Sequence, residues 1–186
     1  MSLPAPPPPE VRVADYLLPG GRIASRKRFR VKALRFVGGK LQDQEFDNTQ
    51  EVVAAGPGRS VVRWSLSAGT ATESYHVQPD GRIEIVEERS WQNSAIRRSY
   101  PATIAGDAPF REWAGESARP RRLTVRVVGR ETVEAAGRTY QTVVFEVEDG
   151  MFRFKTWLAK GFGEVRSEVT SGPVRVSRRE LIEPSP

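Results

Sequence analysis

The feature that most constrains this fold is a two-residue alternation of apolar and polar side chains within residues 129–169. Three alternating runs are separated there by Asp149-Gly150 and by a Gly-Phe-Gly sequence at residues 161–163. Because successive side chains of a strand point to opposite faces, the runs predict antiparallel strands with one apolar and one polar face. The Asp-Gly step predicts a two-residue hairpin turn, since glycine and aspartate tolerate positive φ.

The same alternation recurs on both sides of this stretch, with turn residues at roughly ten-residue spacing. In residues 25–37 the apolar phase shifts between Ala33 and Leu34, which predicts a β-bulge. Residues 11–18 favour a short helical turn or a lead-in strand. The pattern indicates an all-β domain with one or two short helices, a strongly curved antiparallel meander sheet or half-barrel of about 9–11 strands. The other strands are predicted at residues 46–53, 60–67, 70–77, 82–88, 90–100, 122–127 and 174–176.

One segment, residues 100–119, breaks the alternation. Asp107 is placed to cap a short helix with Pro109 in its first turn. Phe110 and Trp113, three residues apart, would then share one helix face. We therefore predict a helical insert that lies across one face or one mouth of the sheet.

The 186 residues fit one domain with a proper core. Residues 1–10 are predicted to be a leader and a Pro-rich disordered tether, residues 11–182 a single β domain, and residues 183–186 a tail. A Pro-rich tether before a β domain is typical of exported proteins, although an arbitrary Pro-rich terminus explains it equally well. On the first interpretation the protein is localised to the periplasm or cell envelope, with its signal segment absent from this sequence.

The residue inventory excludes several chemistries. The chain has no cysteine, which excludes thiol catalysis, disulfides and thiolate metal sites. It has one histidine, His76, so a multi-histidine metal site is excluded as well. A lone histidine on a strand is most often solvated, and no catalytic triad is recognisable around it. We therefore predict no enzyme activity, no catalytic residues, no metal and no cofactor.

Basic residues outnumber acidic ones, and the formal net charge is +6. If the first and last strands are neighbours, clusters at residues 26–32 and 178–179 could merge into a basic stripe on the convex face. Such a stripe would bind an anionic surface or a partner protein. Interleaved acidic residues favour the simpler interpretation of a solvated, ion-paired face. No specific nucleic-acid partner is expected, because no recognised nucleic-acid motif accompanies the clusters.

Two motifs in the central stretch resemble a known group. Residues 129–140 read G-R-E-T-V-E-A-A-G-R-T-Y, and residues 157–166 read W-L-A-K-G-F-G-E-V-R. They resemble the pair G-x-E-T-V-x-V-P-A-G-x-[FY] and W-[FY]-A-x-G-x-G-x-V-[KR] of uncharacterised bacterial exported β domains, often lipoproteins. The proline of that pattern is missing here, and Leu158 replaces its aromatic residue. The resemblance implies a curved antiparallel sheet similar to the lipoprotein-carrier fold, with an apolar concave side and no catalytic residues.

The concave side is the candidate binding site. If the insert covers it only partly, the gap is an apolar pocket; if fully, it is a core. The leading prediction is a non-enzymatic exported domain that binds an apolar or amphipathic ligand, a lipid or a lipoprotein acyl chain. The alternatives are the basic interaction module and, less favoured, an enzyme whose site is assembled from scattered polar residues. The predicted ligand-binding residues are Phe29, Trp64, Tyr75, Phe110, Trp113, Phe145, Phe152 and Phe154.

Overall fold

The computed structural model describes residues 10–20, 22–115 and 119–184. Except for residue 10, the predicted tether lies outside these ranges. The described residues form one short helix, α1 (Ala14–Leu17), and fourteen strands. No helix in them is long and apolar enough to cross a bilayer. The strands are β1 (Val11–Arg12), β2 (Arg26–Val37), β3 (Lys40–Gly56), β4 (Arg59–Leu66), β5 (Gly69–Val77), β6 (Ile83–Arg89), β7 (Ile96–Tyr100), β8 (Thr103–Ile104), β9 (Asp107–Ala114), β10 (Arg121–Ala135), β11 (Arg138–Asp149), β12 (Phe152–Ala159), β13 (Gly163–Ser171) and β14 (Val174–Glu183).

Twelve of these strands close into an antiparallel barrel in the order β10-β11-β12-β13-β14-β2-β3-β4-β5-β6-β7-β9, and β1 pairs with β8 outside it. The all-β prediction is confirmed, but the barrel is more closed than the predicted curved sheet or half-barrel. The ring is completed by the pairing of β14 with β2, the last and the first strands of the barrel in sequence. Closure pairs the backbone groups that an open sheet would leave along its edges.

The predicted helical insert is wrong. Residues 107–114 form β9, and Asp107 pairs with Arg126 instead of capping a helix. On a strand, residues three apart face opposite sides. Phe110 therefore points into the barrel and is buried, whereas Trp113 pairs with Arg97 on the outer face.

The predicted bulge in β2 is also absent. The pairing of β2 with β3 runs without a register shift from Arg26 opposite Glu51 to Val37 opposite Lys40. Its inward set therefore continues from Phe29 through Val31 and Ala33, and Phe36 lies outside that set with 74% of its surface exposed. The last strand, β14, extends to Glu183, which pairs with Arg28.

The two ends of the barrel differ. The end that we call the mouth carries the turns β2–β3, β4–β5, β6–β7, β9–β10, β11–β12 and β13–β14. The opposite end, the floor, is covered by the N-terminal segment 11–20 and by β8. Val11, Val13 and Ile104 are fully buried there, and the backbone N–H of Val13 donates to the carbonyl of Ala102 at 3.0 Å. The lumen is therefore closed by the chain's own N-terminal segment.

The floor depends on close backbone contact between the N-terminal segment and the β12–β13 turn. The N–H of Gly161 donates to the carbonyl of Asp15 at 2.8 Å. A Cβ added at Gly20 would lie 1.6 Å from the carbonyl oxygen of Gly161, so only glycine fits there. Gly161 itself has φ +68°, the left-handed conformation that glycine adopts most readily.

The outer face is covered by ion pairs. Glu146 lies on that face but is only 4% exposed. Arg126 approaches it at 2.8 Å and Lys155 at 3.3 Å, so two basic side chains cover it. Trp157, out of phase with Phe154, also lies on this face at a register shift, and its indole N–H donates to Glu131 at 2.7 Å.

The contact between Gly20 and Gly161 yields a stability prediction. Gly20→Ala places a methyl group on a backbone oxygen, and we expect a loss of about 2–3 kcal/mol in the free energy of unfolding, as for overpacked sites. Gly56→Ala is the matched control, because nothing lies within 4 Å of the added Cβ. Denaturant unfolding followed by circular dichroism measures both, and equal stability of the two variants would refute the account of the floor.

Candidate functional site

The barrel encloses a cavity of about 890 Å³ that runs from the floor to the mouth. Leu17 and Pro19 line it at the floor, and Arg35, Trp91 and Asp149 line it at the mouth. Ligand pockets typically measure roughly 300–1,000 Å³, so this lumen has room for a small organic molecule. The sequence left open whether the apolar side of the sheet encloses a pocket or a filled core, and the structure has a pocket there.

One wall of the lumen is charged. On the adjacent strands β6, β7 and β9, Arg98 donates to Glu87 at 2.9 Å and to Glu112 at 2.7 Å. At the mouth Arg121 extends this series of ion pairs, donating to Glu112 at 2.5 Å and to Asp149 at 2.8 Å. Such charges persist away from bulk water because each is paired with opposite charges.

The pairing determines the protonation of this wall. Burial acts to raise the pKa of Glu87, but the hydrogen bonds and positive charges of Arg89 and Arg98 outweigh it and lower the pKa. The pKa of Glu112 is also lowered, because Arg98 and Arg121 outweigh its burial. Both carboxyl groups are therefore ionised at neutral pH, whereas a general acid needs a raised pKa.

The other side of the lumen is largely apolar. Strands β10, β11 and β12 contribute Leu123, Val125, Phe145, Val147, Phe154 and Leu158, and strands β2–β4 contribute Val31, Ala33, Phe46 and Leu66. These side chains occupy the inward-facing positions, which alternate with outward-facing ones along each strand. The lumen is thus amphipathic, with the ion pairs of β6, β7 and β9 on one wall and mainly apolar side chains on the other, interrupted by the Arg179–Glu164 pair of β14 and β13.

A hydrogen-bonded cluster lies between the two walls. One carboxylate oxygen of Glu73, Oε2, accepts from the Trp64 indole N–H at 2.8 Å and from the Tyr75 hydroxyl at 2.7 Å. Burial and the charge of Glu73 raise the pKa of Tyr75, so its hydroxyl stays protonated and donates. The other oxygen of Glu73 accepts no hydrogen bond from the described residues.

Two further polar groups line the cavity. Arg179 forms a two-point pair with Glu164, both N–O distances being 2.7 Å, and lies 4.7 Å from the Trp64 ring centre. Asn48 is 6% exposed, and its Oδ1 has no hydrogen-bond partner within the described part of the chain. A buried polar atom without a hydrogen bond costs about 1–3 kcal/mol of folding free energy. Among the lumen groups named here, Asn48 is the one with such a buried, unpaired atom.

The structure places the predicted site residues in four environments. Trp64, Tyr75, Phe110, Phe145 and Phe154 line the cavity. Phe29 is fully buried behind it, with its ring centre 5.4 Å from that of Trp64. Phe152 stands 38% exposed at the mouth, and Trp113 lies on the outer face. Ligand binding by these residues stays a prediction.

The charged lumen residues were not predicted, although the alternation carried the signal. Glu73 is two residues from Tyr75, and Glu87 is two residues from Ile85, so each shares a face with an inward apolar residue. Arg98 and Glu112 hold the same relation to Tyr100 and Phe110.

Other site chemistries find no support. His76 is exposed on the outer face, opposite Arg59 and Glu84. Across the described ranges, no group of three or more acidic or histidine side chains is arranged to hold a metal ion.

The fold has relatives among solved structures. A predicted lipoprotein from Parabacteroides distasonis ATCC 8503 is 11% identical with a TM-score of 0.54, over 90% of this chain and 98% of its own. A predicted exported protein with a YmcC-like fold from Bacteroides fragilis NCTC 9343 is 14% identical with a TM-score of 0.52, over 91% and 98%. At these identities the likeness shows a shared fold. No protein-family model and no curated protein matches the sequence.

The charged wall yields a prediction about stability and pH. Arg98→Met leaves Glu87 and Glu112 without their shared partner, and we expect a loss of about 2 kcal/mol at neutral pH, below the value for fully buried pairs because the lumen is wide enough for water. The control is Arg82→Met, whose partner Asp80 is about half exposed, and which should cost much less because exposed ion pairs contribute little to stability.

The same pair of variants has a defined pH dependence. Because the folded-state pKa values of Glu87 and Glu112 are lowered, their contribution is present above the unfolded glutamate pKa, roughly 4.3, and is lost as pH falls through the lower folded values. Urea unfolding at neutral and acidic pH should show the gap between wild type and Arg98→Met closing in acid. If Arg98→Met and wild type were equally stable at neutral pH, the stabilising role of the Arg98 ion pairs would be contradicted.

Proposed function

We propose that this chain is a non-enzymatic, exported protein of the cell envelope that binds an amphipathic ligand, a lipid or a lipoprotein acyl chain, in the barrel lumen. The observation that carries the proposal is the cavity of about 890 Å³ with one charged wall and one largely apolar wall. A purely apolar ligand would leave the charged wall facing hydrocarbon, whereas an amphipathic ligand satisfies both walls. The descriptions of the two structural neighbours as a lipoprotein and an exported protein support the location.

The polar part of the ligand should donate hydrogen bonds. Asn48 Oδ1 has no partner among the described residues, and Glu73 accepts both of its hydrogen bonds through Oε2, leaving Oε1 to accept another. Hydroxyl groups supply donors without adding charge. A ligand with a cationic head group would be repelled by Arg179, which lies close to Trp64. We therefore favour a hydroxyl-bearing amphiphile over a fatty carboxylate.

The two other candidates have less support. On the convex face the basic residues of β2 are paired: Arg28 with Glu183 at 3.0 Å, Arg30 with Asp47 at 3.1 Å and Lys32 with Glu45 at 3.4 Å. That pairing leaves little free charge for an anionic surface or partner protein on this face. A general acid built from the polar lumen groups would need a carboxyl of raised pKa, whereas the pKa values of Glu87 and Glu112 are lowered.

A titration of the delipidated protein with monolaurin, followed by tryptophan fluorescence, tests the proposal. We expect saturable binding that Val147→Trp weakens at least about tenfold, roughly 1.4 kcal/mol, because the larger ring occupies the apolar wall. Val128→Trp adds the same ring on the exposed outer side of β10 and should leave affinity unchanged. If the protein binds neither monolaurin nor lauric acid, the proposal is refuted.

The same titration tests the donor preference. Asn48→Leu removes the unpaired amide, so we expect higher stability together with weaker monolaurin binding. Lauric acid, whose carboxylate accepts hydrogen bonds, should bind more weakly than monolaurin to the wild type. Tighter binding of lauric acid would refute the donor preference and leave the amphiphile proposal standing.

A further inference from the structure

Exposed apolar side chains are concentrated at the mouth of the barrel. Of the ten large apolar residues that are exposed in the described ranges, eight lie there, and Ile23 and Val128 lie elsewhere. They come from four turns that are far apart in sequence, so their proximity results from the barrel. We call this set the apolar rim: Phe36, Val37, Leu41, Trp91, Met151, Phe152, Phe154 and Val174.

The rim residues are placed as projecting tips. Phe36 and Leu41 form a cross-strand pair beside the β2–β3 turn, and they are 74% and 60% exposed. Met151, in the β11–β12 turn, is 71% exposed, and Val174 at the start of β14 is 51% exposed. Leaving such side chains in water is unfavourable and contributes no packing to the fold. The rim therefore has the character of an interaction surface.

Basic residues accompany the tips. The immediate sequence neighbours of the rim residues include five basic residues and no acidic one. Three of the five are ion-paired on neighbouring strands: Arg153, Lys155 and Arg175. Arg35 and Lys40 form no ion pair within the described part of the chain. Apolar tips flanked by free basic charge match the boundary between acyl chains and anionic headgroups.

We propose that the apolar rim docks the barrel, mouth first, on an anionic lipid membrane. The tips surround an opening, so a protein partner would have to bridge the cavity, and protein interfaces depend on a continuous packed core. A lipid leaflet accepts separate tips one by one. Docking in this orientation turns the lumen toward the lipid. The argument for docking depends only on the exposure and charge of the rim residues, and it does not depend on which ligand the lumen binds.

Vesicle sedimentation tests the docking surface. Wild type should bind vesicles of phosphatidylethanolamine and phosphatidylglycerol, and the double variant Phe36→Ser/Leu41→Ser should lower the partition coefficient at least about tenfold. The matched control, Ile23→Ser/Val128→Ser, removes exposed apolar side chains outside the rim and should bind like wild type. All of these positions are exposed, so unchanged thermal unfolding checks that the variants fold.

Further readouts distinguish membrane docking from self-association through the rim. Brominated lipids should quench Trp91 fluorescence, and Trp91→Phe should remove most of that quenching. Arg35→Gln/Lys40→Gln should weaken binding to the anionic vesicles more than to phosphatidylcholine vesicles. The proposal is overturned by absent vesicle binding, by equal loss in rim and control variants, or by self-association that the rim variant abolishes without any vesicle binding. Monolaurin affinity should be unchanged in the rim variant.

Discussion

The number of strands is the constraint on which the rest of this structure depends. Barrel diameter grows with strand number, and at about eight strands side chains or one small ligand fill the interior. Twelve strands exceed that number, so the inward side chains of this barrel leave a cavity of about 890 Å³. An open sheet could flatten or fold onto itself, whereas the pairing of β14 with β2 closes the ring and holds it at a fixed circumference.

The cavity in turn explains the charged residues inside the barrel. Collapse of the lumen would bring the pairs around Arg98 against the apolar wall, at a high desolvation cost. The floor closes one end through the contact of Gly20 with Gly161, so that exchange with solvent takes place at the mouth. Closed floor, amphipathic walls and apolar rim therefore lie along one axis of the molecule.

The two-residue alternation was sufficient to predict the strands and the faces of most apolar residues, such as Trp64, Tyr75 and Phe145. It could not predict closure, because closure depends on pairings between strands far apart in sequence. The helix predicted at Asp107 failed because local capping signals were outweighed by pairing on both sides of β9. The bulge predicted at Leu34 failed for another reason: Phe36 is apolar without facing the core, and its exposure at the mouth produced the apparent phase shift.

The central claim is that the lumen carries an amphipathic ligand, and native mass spectrometry tests it most directly. The protein would be isolated from an envelope fraction without detergent, and the mass of the intact chain compared with that of the denatured chain. The account predicts an added mass of one hydroxyl-bearing amphiphile per chain, released on denaturation. A native mass that equals the denatured mass in repeated preparations would contradict it.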